Sequence, residues 1–271
     1  MTARLNLDDF NRRVYQALED TDSQEFQDIL RELGTEMPDY LANHLGATHS
    51  APSPSGLTTC HTQLWYKQQG VEEEHSVPAA WKKRAAVGSM TELLWIAIFR
   101  LAGYEVELPL SGFPVGDNMR GHADGFIRGY SGEGGLLELK DLTGWTYKRI
   151  LEEPGGIINS EMRYYTQMQM YMYGADVEWG LFFVSPADPA HLQSNMRRYK
   201  KYGQDWTLPL FYTEIVERDE AHIEASLNRA ASIATLMSEI TPPPREYDGV
   251  TNWPCAYCPF QKRCNSEFAG G

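Results

Sequence analysis

Asp124 in GHADGFI, and Glu138 and Lys140 in GLLELKDL, are the residues whose types and spacing best fit chemistry. On a strand, positions 138 and 140 share one face while Leu137 and Leu139 take the other, so the leucines can anchor the strand while acid and amine face a cleft. If 121–128 forms the neighbouring strand of a hairpin, Asp124 reaches the same cleft. Two carboxylates and the Leu139 carbonyl are hard oxygen donors suited to Mg2+ or Mn2+. Such a centre polarises a phosphate and positions hydroxide, while Lys140 orients the water or balances the growing phosphorane charge. Taken alone, ELK also fits an exposed strand carrying a Glu–Lys pair. Glu92 adds context as the only acid in the apolar helix beginning at Ala85. A buried, unpaired carboxylate is costly, and a metal shell, a salt bridge or a solvent-facing stripe would each satisfy it. In YYTQMQMYMYG, Gln167 and Tyr171 are four residues apart and share a helix face. Gln169 and Tyr173 repeat that spacing, which alone does not choose between the pairs. Met168, Met170 and Met172 read as core filler.

WPCAYCPFQKRCNSE sets Cys255, Cys258 and Cys264 in a C-x2-C-x5-C run, and the fourth cysteine, Cys60, lies far upstream. Four thiolates can bind zinc tetrahedrally or carry an iron-sulfur cubane, and the count does not separate the two. His61 is a substitute ligand by position, although a surface or core role is the commoner use of such a histidine.

Several elements must position these groups. Phe10, Val14 and Leu18 predict a helix over 8–20. A second is expected over 24–33, stopped near Gly34, and a third through Met37, Tyr40, Leu41 and Leu45. The breaker-rich stretch from His49 to Gly56 predicts a loop, so residues 1–50 read as a helical extension ahead of a 51–271 catalytic body. A buried helix over 85–101 precedes strands at 104–110, 121–128 and 136–140. A helix over 161–173, strands at 179–184 and 211–216, and a helix over 219–240 stopped by prolines complete a mixed α/β core.

The chain has 271 residues and ordinary globular composition, with 42% hydrophobic and 23% charged residues, so disorder is not expected. A net charge of −13 excludes a general nucleic-acid coat, but not an enzyme gripping DNA along a short track. Trp81-Lys82-Lys83-Arg84 and the run from Arg197 to Tyr202 are local basic stretches, and a solvated surface is the commoner explanation of either. MTARLNLDDFNRR carries no apolar stretch with a cleavage site, so neither export nor membrane spanning is expected, and the cysteines do not read as a disulfide scaffold.

In order and spacing the motifs resemble the RecB-like branch of the PD-(D/E)XK nuclease superfamily. Glu92 after Gly88 is similar to the first-helix acid, Asp124 to the motif aspartate, Glu138-Leu139-Lys140 to the ExK element, and Gln167 through Tyr171 to QxxxY. Many relatives have histidine where Glu92 stands. The resemblance implies a restriction-endonuclease-like mixed sheet flanked by helices, a metal held by Glu92, Asp124, Glu138 and the Leu139 carbonyl, and catalysis assisted by Lys140, Gln167 and Tyr171. One cysteine before the core and three after it are similar to AddB-type and CRISPR-associated nucleases. That implies a 4Fe-4S cluster on Cys60, Cys255, Cys258 and Cys264 that clasps the domain. The resemblance covers residues 60–264.

The function expected is metal-dependent hydrolysis of DNA, single-stranded or with a free end, by an exonuclease of recombination, repair or phage DNA metabolism. Recombination proteins are expected partners, no membrane is, and the compartment is the cytoplasm, or the host cytoplasm for a phage protein. The alternatives are a non-catalytic nucleic-acid adaptor of nuclease-like fold and a zinc-stabilised protein-interaction module.

Overall fold

The computed structural model describes residues 5–45, 53–75, 79–109, 111–117, 119–128, 134–187, 209–247 and 254–268. The basic run from Arg197 to Tyr202 and residues 49–52 of the loop from His49 lie outside them. Helix α1 (Leu7–Glu19) is capped by Asn6, which accepts from Asp9 N, and buries Phe10, Val14 and Ala17.

Where the periodicity predicts two further helices, one helix, α2 (Gln24–Leu45), runs through both Gly34 and Pro38. Gly in a helix costs about 1 kcal/mol and Pro about 3 kcal/mol. Phe26, Leu33 and Tyr40, spaced by seven and all buried, gain roughly 1.5–3 kcal/mol each on burial, which outweighs both breakers. They pack with α1 against α4 (Ala79–Leu101), in the same core as Leu93, Ile96, Phe99 and the sheet.

The sheet has five strands, β1 (Glu105–Glu107), β4 (Gly125–Arg128), β5 (Gly134–Leu142), β6 (Trp179–Pro186) and β7 (Tyr212–Glu217), adjacent in that order. Every pairing is antiparallel except β5 with β6, which is parallel. A parallel pair needs a crossover, supplied here by α5 (Gly144–Glu152), α6 (Ile157–Ser160) and α7 (Met162–Ala175). Both faces of β5 and β6 are therefore covered. Leu137, Leu139, Leu181 and Phe183 face α1 and α4, whereas Leu136, Phe182 and Val184 face α7. This is the expected mixed α/β arrangement of a sheet flanked by helices.

The strand expected over 121–128 is divided. Gly121 ends β3 (Met119–Gly121), which pairs with β2 (Phe113–Val115) in a separate hairpin, and 122–124 lead into β4. A Cβ on Gly121 would come within 2.9 Å of both Phe113 and Tyr171, so the hairpin meets α7 only because this residue has no side chain.

α3 (His61–Gln68) and the C-terminal helix α9 (Gln261–Phe268) close the molecule with α8 (Glu220–Met237), around a third core that includes Tyr66, Met170, Ile233 and Phe260. The two distant segments are joined at the backbone. Glu74 N donates to Pro259 O at 2.9 Å, and the Glu74 carboxylate accepts from Lys262 N at 3.0 Å and Arg263 N at 2.7 Å, capping α9. Among the described residues no helix is long and apolar enough to cross a membrane.

Candidate active site

The site forms where β4 stops. β4 pairs with β5 only through Gly134–Leu137, with Gly125 opposite Leu137, so Asp124 falls opposite Glu138 just as the ladder ends. The edge groups of Leu139 are taken up by side chains instead. Leu139 N donates to Asp124 Oδ2 at 2.7 Å, and Lys140 Nζ donates to Leu139 O at 2.9 Å. The same ammonium lies 3.5 Å from Asp124 Oδ2 and forms an ion pair with Glu138 Oε1. Asp124, Glu138, Leu139 and Lys140 are thus gathered around one point.

α7 contributes from the other side. Gln167 Nε2 donates to Glu138 Oε1 at 2.9 Å and lies 3.2 Å from the Tyr171 hydroxyl. Gln169 is engaged elsewhere, donating to Glu217 O at 2.7 Å and accepting from Asp219 N at 2.8 Å. Of the two pairs with equal spacing, only Gln167 reaches the carboxylate, with the Tyr171 hydroxyl accepting from the same amide. Phe113 of the small hairpin supports the Tyr171 ring edge-on at 5.8 Å.

Glu92 projects from α4 toward the cluster, and the Tyr40 hydroxyl donates to its Oε2 at 3.0 Å. Tyr40 is the residue that sequence reasoning missed. It reads as one more member of an apolar helix face, yet it is fully buried and lies in the field of Asp124, Glu92 and Glu138, which with burial raises its hydroxyl far above the ordinary range. No short motif marks it, because its partner is fifty-two residues away in the chain.

Two acids contact one ammonium and a third, Glu92, acts on it electrostatically, and burial makes that imbalance expensive. Burial lifts Glu138 to about 8, with Lys140 opposing and Asp124 adding to the rise. Burial and then Asp124 lift Glu92 to about 7 against Lys140 and the Tyr40 bond. Burial disfavours the Lys140 charge too, but Asp124, Glu138 and Glu92 prevail and hold it protonated well above its usual range. Near neutrality the cluster therefore holds a proton on Glu138 or Glu92.

The sign of the linkage follows. From the ordinary 4.5 up to about 8 the folded protein binds a proton at Glu138 that the unfolded chain has released, so stability falls as pH rises through that window. Thermal melts in EDTA are expected to show this fall in the parent and a shallower one in Glu138→Gln. Equal slopes would refute the assignment.

All four cysteines, each partly buried, line one pocket with Tyr66, Arg245 and Tyr247. Burial, then the neighbouring thiols, pushes Cys258 up to about 11 apart from a lowering bond to Phe260, and Cys255 also rises. His61 is not among the lining residues. Its ring bonds Pro244 O at 2.7 Å and its backbone N bonds Glu246 at 3.0 Å, so it tethers the 244–246 segment. Among the described residues, no group of three or more His, Cys, Asp or Glu side chains is placed to hold a metal ion.

No protein-family model matches the chain. No curated protein matches it either. Among solved structures it is similar to an alkaline exonuclease, LHK-Exo, from Laribacter hongkongensis, at 17% identity and a TM-score of 0.48, covering 74% of this chain and 92% of that one. The same exonuclease in complex with dAMP matches at 17% identity and a TM-score of 0.48, over 68% of this chain and 86% of that one. A third structure, SSO0001, matches at 16% identity and a TM-score of 0.46, over 88% and 98%.

Proposed function

We propose that this chain is a divalent-cation-dependent nuclease of the PD-(D/E)XK superfamily, RecB-like branch, that hydrolyses DNA from a free end of a single strand. The observation that carries this reading is the position of the Lys140 ammonium among Asp124 Oδ2, Leu139 O and Glu138 Oε1. Beside it, Glu138 Oε2 is buried with no hydrogen-bond partner among the described residues. The ammonium is a stand-in cation, and oxygens arranged to hold it also suit Mg2+ or Mn2+.

In this reading Asp124, Glu138 and the Leu139 carbonyl hold the metal, with Glu92 as the further acid. When bound, the metal supplies Lewis acidity at the phosphate and a more acidic water. Lys140, displaced from the oxygens, would act as a cation that steadies phosphoryl charge and orients the attacking water. Gln167 fixes the Glu138 carboxylate, Tyr171 supports Gln167, and Tyr40 holds Glu92.

A 4Fe-4S cluster on Cys60, Cys255, Cys258 and Cys264 is favoured over zinc by the resemblance of the cysteine pattern, and four thiols lining one pocket are a donor set that fits it. Its role is structural, a staple between segments that Glu74 already joins.

The deciding assay compares end-labelled linear and covalently closed circular single-stranded DNA in Mg2+, Mn2+ and EDTA. Linear DNA is expected to be degraded from an end only with metal, with circles resistant. Cleavage of circles at an equal rate would overturn end dependence, and no cleavage of either would overturn the enzyme.

A further inference from the structure

Trp145 is 78% exposed, the most exposed tryptophan among the described residues. It stands in the first turn of α5, whose backbone is firmly held. Thr143 caps the helix by accepting from Thr146 N, Tyr147 and Ile150 are fully buried, and the Tyr147 hydroxyl bonds Pro209 O at 2.7 Å. The ring is thus presented outward on a rigid base, with no part in the core.

Its place is informative. It follows Lys140 by five residues, so it lies within about 18 Å of it even on a fully extended chain. A cation flanks the same end of β5: exposed Arg84 acts electrostatically on Asp141, the residue after Lys140. On the α7 side, exposed Arg163 stacks over the Tyr164 ring at 4.7 Å, and Lys140 lies 5.6 Å from that ring. In a chain of net charge −13, positive groups on both sides of the cluster and an aromatic plane beyond it form a local exception. A cationic track with a stacking ring is the chemistry that grips single-stranded nucleic acid without reading its sequence.

We infer that single-stranded DNA engaged at the Asp124–Glu138–Lys140 cluster runs over the end of β5, with one base stacked on Trp145 and its phosphates against Arg84 and Arg163. This rests on the nuclease reading and adds the strand's route and a stacking contact.

The test uses the full-length protein and fluorescein-labelled oligo(dT) in EDTA, with binding read by anisotropy separately from cleavage. Trp145→Ala is expected to weaken binding about tenfold, Trp145→Phe to restore most of it, and both to melt like the parent. On an abasic oligomer, parent and Trp145→Ala are expected to bind equally, because no base is left to stack. Equal binding of oligo(dT) by parent and Trp145→Ala, with the parent still cleaving DNA, would overturn this inference alone. A parent that neither binds nor cleaves would overturn the nuclease reading and this inference with it.

Discussion

Replacing Lys140 with alanine is expected to slow metal-dependent DNA cleavage by about a hundredfold or more while leaving Mn2+ binding intact or tighter, since a positioned group of this kind contributes about 10²–10⁴ to rate. The two effects diverge for a structural reason. The ammonium competes for Asp124 Oδ2, Leu139 O and Glu138 Oε1, so its removal frees the ligands even as it removes the cation that serves the phosphate. Asp124→Asn should lose both metal binding and activity. It keeps an acceptor for Leu139 N, which Asp124→Ala would leave unpaired at an edge, so asparagine separates ligand loss from unfolding. Single-turnover cleavage and Mn2+ titration check both variants. Retained metal-dependent cleavage in Lys140→Ala and Asp124→Asn would remove this site from consideration.

The second large effect lies in the clasp. Anaerobically prepared protein is expected to be brown, with iron and sulfide, and Cys258→Ser to lose the colour and melt about 10 °C lower. Closing the loop from Cys60 to Cys255 removes unfolded-chain entropy worth about 5 kcal/mol on a logarithmic estimate, and a chain of this size shifts by about 2–4 °C per kcal/mol. Cleavage should weaken alongside, because Met170 of α7 packs in the core that the clasp closes. Stoichiometric zinc without iron would decide for the zinc-bound alternative. Iron-free protein with unchanged melting and cleavage would show that the cysteines do not staple the fold.

The chemistry of the site was legible wherever it follows local periodicity. The alternation Leu137, Glu138, Leu139, Lys140 sorts itself into a core face and a cleft face, and the structure keeps that sorting, with both leucines in the core shared with α4. Legibility ended where long-range packing decides. Nothing within YYTQMQMYMYG says that Gln169 will be claimed by Glu217 and Asp219, leaving Gln167 for Glu138. Gly34 and Pro38 are genuine helix breakers by propensity, and burial of Phe26, Leu33 and Tyr40 overrides them. The separation of Gly121 from the strand that begins just after Asp124 depends on a hairpin of two three-residue strands whose pairing no short motif announces.

The early end of β4 has a consequence outside catalysis. A strand edge left unpaired over half its length is a template on which another chain can pair, and β5, paired with β6 on its other edge, is apolar enough to make such pairing damaging. Here the vacant stretch is occupied by a carboxylate on Leu139 N and an ammonium on Leu139 O. The residues proposed for catalysis thus also satisfy the backbone groups that the short strand leaves open on that edge.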